Sequence, residues 1–306
     1  MRLRLIVHGK AAREQRVRDA VEAVRADGHE ASVRVTFEGG DAGRMAAEAV
    51  GEAKAGLLDA IVAGGGDGTV NEVFAAALAA EPPASCSFGV LPLGTANDFA
   101  RSADLPSADA TASLRLVATT PARPIDIGAV DGRPFINLLT GGFGSRVTVE
   151  TDPDLKRSLG GLAYVLTGVS RFRELAANKG RITGEDFAWE GAFLALAIGN
   201  GRQAGGGIML CPDALLDDGA LDLMILPEVP AERRLEIVSS LLTQGAAALP
   251  GLVLRARSPW FTFEADEALS VNLDGEPIHA RHFRVTCRPA ALRLHCGPAA
   301  ALTPAA

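Results

Sequence analysis

The sequence predicts an α/β fold with an N-terminal doubly wound parallel sheet and a second, mostly antiparallel β domain. Strand-like and helix-like segments alternate over the first 120 residues, which favours a parallel sheet covered on both faces. After the proline-bearing segment 119–124, strand-like runs dominate. The length of 306 residues exceeds what one hydrophobic core usually organises. We therefore predict two domains, at 1–124 and 125–289.

Apolar periodicity defines the elements of the first domain. In residues 13–26, Val17, Val21 and Val24 recur at i, i+4 and i+7, which is typical of an amphipathic helix. The predicted strands are 3–8, 30–37, 60–63 and 88–93, and the predicted helices are 13–26, 42–54 and 70–80.

The second domain begins with a hairpin pattern. Asp131 and Gly132 separate two apolar runs and favour a tight turn. The predicted strands are 125–130, 135–139, 180–183, 187–199, 221–226, 260–264, 269–273, 283–287 and 292–296, with helices at 159–175 and 231–244. The Ala/Pro-rich segment 298–306 is predicted to be disordered.

The segment GGGDGTVNE at 64–72 is the main functional signal. A strand, a glycine-rich turn and a helix in succession bind phosphate, because backbone N–H groups and the helix dipole face the anion. The segment lacks the lysine of a Walker A motif. Asp67 would repel phosphate unless a cation lay between them. The pattern therefore predicts a nucleotide bound together with a divalent metal.

Composition narrows the classes of partner. The net charge of −7 argues against nucleic acid and against tight electrostatic docking on anionic membranes. The sequence contains no uninterrupted apolar run of about 18 residues, the length that a membrane-spanning helix needs, and the N-terminus lacks a signal-peptide pattern. The four cysteines form no CxxC pair and indicate reduced thiols in a cytoplasmic protein.

Three further segments carry candidate chemistry, each with an ordinary alternative. In GVLPLGTANDFAR at 89–101, Thr95 or Asn97 could cap a helix starting near residue 96, and an ordinary cap is the alternative. In VNLDGEPI at 271–278, Asp274 and Glu276 form a pair of carboxylates, or merely a hairpin turn. The glycine-rich segment 199–223 contains two adjacent aspartates, 217 and 218, which suit a hard cation or a solvated turn.

Together these segments resemble the diacylglycerol kinase catalytic-domain superfamily, and within it the YegS-type bacterial lipid kinases. The motifs VRVTFEGGDA, IVAGGGDGTVNEV, GVLPLGTANDFA, GGFGSR, IGNGRQAGGG, LCPDAL, NLDGEP and PAALR stand in the family's order over nearly the whole chain. The resemblance implies an N-terminal doubly wound parallel-sheet nucleotide domain and a C-terminal mostly antiparallel β-sandwich domain, with the site in the cleft between them. The resemblance also suggests that the final strand, 290–297, returns to the first domain.

The resemblance also implies site residues. The ATP site would comprise Thr36, Gly65, Gly66, Asp67, Gly68, Thr69, Val70, Asn71, Glu72, Gly94, Thr95 and Asn97. The catalytic group would comprise Glu276 as proton acceptor, with Asp67, Asp98 and Asp274; Asp67 and Asp98 would organise the catalytic metal. A structural Mg²⁺, with Ca²⁺ as the alternative, would lie on Asp218 and the carbonyls of Leu215 and Ala220.

Two positions depart from the family pattern. His8 stands where relatives have asparagine, and we interpret it as a core histidine. Ala220 replaces a leucine, which a carbonyl ligand tolerates.

The implied reaction is transfer of the γ-phosphoryl group from ATP to a lipid hydroxyl in phospholipid metabolism. Phosphatidylglycerol is the first choice of acceptor and a diacylglycerol-like lipid the second. Asp67 competes with Glu276 for the role of base. An NAD kinase, which shares GGDGT, and a non-catalytic nucleotide-binding regulator are the alternatives. The helix at 159–175 is either core-facing or a site of transient membrane contact. Oligomeric state and the route of lipid entry stay open.

Overall fold

The computed structural model describes residues 1–142 and 177–304. The chain divides into two compact units, Met1–Asp126 with Ala290–Ala306, and Ile127–Pro289. The predicted helix at 159–175, with its predicted membrane contact, and the GGFGSR motif beyond residue 142 lie outside the described residues.

The first unit alternates strands and helices as predicted. Its strands are β1 Arg2–His8, β2 Glu30–Thr36, β3 Ala60–Gly65 and β4 Ser87–Pro92, and its helices are α1 Gln15–Ala26, α2 Asp41–Lys54, α3 Asp67–Ala79, α4 Asp98–Ser102 and α5 Ala110–Thr119. The strands pair in parallel in the order β4-β3-β1-β2. Leu294 near the chain end adds a parallel neighbour to β4, opposite Phe88. Because parallel strands align their carboxyl ends, the loops after β1, β2, β3 and β4 lie at one edge of the sheet.

Helices cover both faces of this sheet because side chains alternate along each strand. On one face, Leu5 and Val62 lie in a buried cluster with Val21 of α1 and Leu114 of α5. Helices α2 and α3 pack against each other and against β3. The sequence analysis missed α5, although Asp109 accepts a hydrogen bond from the N–H of Ala112 and caps it.

The chain end contradicts one prediction. Residues from 298 onward were predicted to be disordered, yet the N–H of Ala299 donates to Oδ2 of Asp104, and the N–H of Ala301 donates to the carbonyl of Ser102. Ala301 is buried. Composition suggested disorder, but backbone hydrogen bonds within the first unit order residues 299–301.

The second unit is a mostly antiparallel sheet. The elements from residue 123 onward are β5 Arg123–Val130, β6 Arg133–Phe135, β7 Leu138–Gly142, β8 Asn178–Gly184, β9 Ala188–Gly199, β10 Gln203–Ala204, β11 Ile208–Met209, β12 Leu221–Pro227, α6 Ala231–Gln244, β13 Leu254–Ser258, β14 Trp260–Leu273 and β15 Glu276–Leu294. The start of β5, up to Asp126, and the end of β15, from Ala290, belong to the first unit. The main strand order is β13-β12-β9-β7-β14-β15, with β8 beside both β14 and β9.

Two apolar clusters hold the second unit together. One is aromatic, and Phe263 stacks on Phe283 with ring centroids 4.9 Å apart. The other contains Ile237 and Leu241 of α6. The predicted strands 260–264 and 269–273 are one strand, because pairing with β15 continues through a register shift between Glu264 and Leu269.

Candidate functional site

The glycine segment forms a sharp strand-to-helix turn. Strand β3 ends at Gly65, and α3 begins at Asp67 with Gly66 in an extended conformation between them. The prediction of a helix starting at residue 70 was therefore wrong by three residues, and Gly68 and Thr69 lie in its first turn. The first N–H groups of a helix have no acceptor within it, so this turn presents donors and a positive dipole.

A second loop packs directly on this turn. A methyl group added at Gly94 would lie 2.4 Å from Cα of Gly66, so the two backbones touch only because both residues are glycine. Asn97 holds the second loop, since its Oδ1 accepts the N–H of Gly94 at 2.9 Å and its Nδ2 donates to the Gly94 carbonyl at 2.8 Å. The two sequence motifs therefore form one structural unit.

Asp67 links the two loops. Its carboxylate accepts the N–H of Asp98 at 3.2 Å and the N–H of Phe99 at 3.0 Å, so it caps the short helix α4. Asn97, one of the two predicted caps, occupies the N-cap position of α4, but its side chain binds Gly94 and makes no capping hydrogen bond. Asp98 is buried, and Asn71 is also buried with its Oδ1 lacking a hydrogen-bond partner.

A cavity of about 680 Å³ lies in the first unit. Side chains from the carboxyl ends of β1 and β2 and from the start of α3 line it: His8, Lys10, Arg13, Thr36, Phe37, Glu38, Thr69 and Glu72. The interpretation of His8 as a core residue was wrong, because His8 ends β1 at the sheet edge and is exposed.

The loop after β2 is held in a defined conformation at the cavity wall. Oδ2 of Asp41 accepts the N–H groups of Phe37 at 2.9 Å and Glu38 at 3.1 Å. These bonds, the Phe37 N–H foremost, together with the Arg44 guanidinium, lower the pKa of Asp41 to about 2. Residue Phe37 is 84% exposed, so its side chain is open to solvent at the cavity wall.

Sequence reasoning missed the charged and aromatic residues Lys10, Arg13, Phe37 and Glu38 of this cavity, together with its small residues Gly9, Gly39 and Ala42. A signal was available, because Lys10 and Phe37 closely follow parallel strands, and ligands of open α/β sheets bind at the carboxyl ends of strands. Lys10 and Arg13 bring positive charge to a loop system that lacks the Walker A lysine.

In the second unit, the turn after β14 is fixed by Asp274. Both Asp274 and Gly275 have positive φ, 49° and 105°, as a tight hairpin turn requires. The Asp274 carboxylate accepts the N–H groups of Ile136 at 2.6 Å, Leu138 at 2.9 Å and Asn137 at 3.2 Å. The arrangement gives Asp274 a structural function, and its predicted catalytic part stays a prediction.

The same segment, 136–138, also receives the glycine-rich segment after β9. Nδ2 of Asn200 donates to the carbonyl of Ile136 at 2.9 Å, and Nδ2 of Asn137 donates to the carbonyl of Gln203 at 2.7 Å. A methyl group at Gly201 would collide with Asn137. The motifs NLDGEP and GNGRQ, far apart in the sequence, therefore meet on a segment that the sequence analysis treated only as a strand.

Glu276, the predicted proton acceptor, forms an ion pair with Arg133. Glu276 begins β15 and Arg133 begins β6. Both side chains are about half exposed, 58% and 49%. The carboxylate therefore faces solvent on a fixed turn, with one oxygen occupied by a guanidinium.

The predicted structural metal site surrounds Asp218. Its Oδ1 accepts the N–H of Ala220 at 3.1 Å, while its buried Oδ2 lies 3.1 Å from Nη1 of Arg257 without hydrogen-bond geometry. Burial raises the pKa of Asp222, and Arg257 opposes the shift. Within the described ranges no three His, Cys, Asp or Glu side chains cluster around a metal position. One carboxylate with backbone carbonyls nevertheless matches the oxygen ligands of Mg²⁺ and Ca²⁺.

Comparisons with known proteins agree with this architecture. Residues 2–130 match the diacylglycerol kinase catalytic domain, and residues 138–296 match the YegS C-terminal NAD kinase beta sandwich-like domain. A protein of Pseudomonas aeruginosa (strain UCBPP-PA14) named probable lipid kinase YegS-like is 52% identical over 95% of this chain and 93% of its own length. One of the same name from Xanthomonas euvesicatoria is 46% identical, over 95% of each chain.

A solved diacylglycerol kinase structure from Bacillus anthracis str. Sterne has a TM-score of 0.74 at 21% identity, covering 98% of each chain. At this identity the likeness supports the fold. Fold and matched domains together define a kinase. The chain belongs to the YegS-like lipid kinases of the diacylglycerol kinase catalytic-domain superfamily, which confirms the resemblance and the two-part fold. Across the described parts of the chain, no helix combines the length and apolar character needed to cross a bilayer.

Proposed function

We propose that this kinase transfers the γ-phosphoryl group of ATP to the hydroxyl group of a membrane lipid, with phosphatidylglycerol as acceptor. The observation that carries the nucleotide assignment is the cavity beside the first turn of α3, with Lys10 and Arg13 on its wall. A helix N-terminus and two cations favour a polyphosphate, and the carboxylates of Glu38 and Glu72 in the same lining favour a divalent ion bound together with it. The two side chains take the part of a Walker A lysine.

Two further residues of the cavity lining suit the rest of a nucleotide. Phe37 offers an exposed ring on which a purine can stack, and Asp41 fixes its backbone. Thr36 ends β2 next to it, and its hydroxyl can donate and accept hydrogen bonds. This assignment keeps the predicted ATP residues and adds Lys10, Arg13 and Phe37.

The chemistry is an in-line transfer. The acceptor oxygen forms a bond to Pγ, the bond from Pγ to the bridging oxygen of ADP breaks, and the hydroxyl proton passes to the Glu276 carboxylate. Asp67 is less suited as base, because both its oxygens accept backbone N–H groups. A divalent ion held through Asp67 and Asp98 would neutralise phosphate charge.

The residues around Asp218 are assigned a second, structural ion. Leu215 and Ala220 would add backbone carbonyls to the Asp218 carboxylate. We assign Mg²⁺ first and Ca²⁺ second, since both are hard cations that oxygen ligands prefer.

A labelling assay tests the proposal. The protein is incubated with Mg²⁺ and γ-labelled ATP against phosphatidylglycerol, diacylglycerol and NAD, and products are separated by thin-layer chromatography. We expect labelled phosphatidylglycerol. Label on NAD and on neither lipid would contradict the proposal.

Glu276→Gln tests the base. We expect turnover to fall about 10²–10⁴-fold, the usual contribution of general base catalysis, with the KM for ATP near the wild-type value. Undiminished turnover would remove Glu276 from this role and leave Asp67→Asn as the next variant.

We place the enzyme in the cytoplasm, with transient contact to the membrane that holds its substrate. Its four cysteines are free thiols, which suits a reducing compartment. Flotation with phosphatidylglycerol vesicles, with and without ATP, measures the contact.

A further inference from the structure

We propose that Arg133 selects acceptors that carry a phosphodiester, by exchanging its ion pair with Glu276 for a contact with the acceptor's phosphate. The inference rests on the proposed function, in which Glu276 accepts the proton of the acceptor hydroxyl. It adds a specificity-determining residue and a resting state in which the base is occupied.

The fold places both partners of this ion pair. Arg133 follows a turn in which Asp131 exchanges two backbone-linked hydrogen bonds with Arg284, through its N–H at 2.9 Å and its Oδ1 at 3.0 Å. Glu276 follows the turn that Asp274 ties to residues 136–138. Hydrogen bonds thus fix the backbone of both turns. The fold therefore places the Arg133 guanidinium next to the Glu276 carboxylate.

The pair is suited to exchange because it is half exposed. Solvent screens an exposed ion pair, so its net contribution to the stability of the folded protein is small. A guanidinium binds phosphate oxygens through two parallel N–H donors, which makes a phosphodiester an effective competitor for Arg133. When the acceptor's phosphate takes the guanidinium, the Glu276 oxygen that faced it becomes available for the hydroxyl proton.

The exchange couples recognition to catalysis. An acceptor with a phosphodiester beside its hydroxyl, such as phosphatidylglycerol, frees the base as it binds. A neutral acceptor, such as diacylglycerol, has no phosphate to bind Arg133, so the ion pair between Arg133 and Glu276 persists. Arg133 thus lowers KM for the anionic acceptor and restrains turnover of the neutral one.

Kinetics of Arg133→Gln with two acceptors test this. Phosphatidylglycerol and diacylglycerol are presented in mixed micelles of equal anionic fraction, with phosphatidylserine supplying the charge in the diacylglycerol arm. We expect KM for phosphatidylglycerol to rise about tenfold, the loss of one charge-assisted contact. We expect kcat for diacylglycerol to stay equal or rise, because Glu276 is released.

Two variants sharpen the result. Arg133→Lys keeps the positive charge, so its KM for phosphatidylglycerol should lie between those of the wild-type protein and Arg133→Gln. Arg281→Gln removes an exposed arginine of a different strand, β15, and should leave kcat and KM for both acceptors at the wild-type values.

Three outcomes would overturn the role of Arg133. The first two are an unchanged KM for phosphatidylglycerol and an equal fall in kcat for both acceptors, as a merely structural residue would give. Arg133-dependent turnover of diacylglycerol in phosphatidylserine micelles would also overturn it, because the surface rather than the acceptor would then supply the phosphate. Absence of any labelled lipid with the wild-type protein contradicts the proposed function itself and is a distinct result.

Discussion

Replacing Asp274 by alanine should destabilise the second unit far more than replacing its neighbour Glu276. The Asp274 carboxylate accepts three backbone N–H groups, those of residues 136–138, at distances from 2.6 to 3.2 Å. Glu276 makes one half-exposed ion pair, with Arg133. Two carboxylates two positions apart therefore separate a structural function from the chemical one that we propose for Glu276.

The magnitude follows from these contacts. A hydrogen bond to a charged group contributes about 1.5–3 kcal/mol. The three bonds to Asp274 share one partly exposed carboxylate, so we expect Asp274→Ala to cost about 3 kcal/mol in total rather than three full contributions. Glu276→Ala should cost at most about 1 kcal/mol, the upper range for exposed ion pairs. At about 2–4 °C per kcal/mol for a unit of this size, the Tm should fall by about 6–12 °C and at most about 4 °C, respectively.

Intrinsic fluorescence offers a clean measurement. Both tryptophans of the chain, Trp189 and Trp260, lie in the second unit. Thermal unfolding followed by tryptophan emission therefore reports that unit by itself, which avoids assuming two-state unfolding of the whole chain. The reasoning fails if Asp274→Ala melts within 2 °C of the wild-type protein, or if Glu276→Ala is the more damaging of the two.

Three further predictions concern the first unit. Gly94→Ala should disrupt nucleotide binding and lower Tm, because the added methyl would meet Gly66, whereas Gly68→Ala, where a methyl meets no atom within 4 Å, should fold normally but raise the KM for ATP; an intact ATP KM in both variants, from initial-rate kinetics, would contradict the assignment. Burial lowers the pKa of His295 below 6.5, so at pH values below 6.5 the unfolded chain binds a proton more readily than the folded chain, and the folded state loses stability as the pH falls. Calorimetry should therefore show a smaller loss of stability on acidification in His295→Asn than in the wild-type protein. Burial raises the pKa of the Cys86 thiol to about 11, so alkylation at pH 8, read by mass spectrometry, should reach it only after unfolding; rapid labelling of the folded protein would refute this.

Local sequence signals predicted much of the fold. The apolar spacing of Val17, Val21 and Val24 gave α1, and α6 was predicted at 231–244, the bounds that the structure has. Such elements are predictable because each buries one face whose period is written in its own residues. The helix α5 was missed although Asp109 caps it, because no strong apolar run marked it.

The sequence by itself determined the family, most of the strands and helices in their order, and the residue types that we assign to phosphate, metal and proton chemistry. Tertiary structure decided what those residues contact. It turned His8 toward a cavity, gave Asp67 two backbone donors from α4, and paired Glu276 with Arg133. The reason is physical: a motif fixes local backbone geometry within a few residues, whereas a contact across 143 positions, as between Arg133 and Glu276, depends on how whole strands are brought into register.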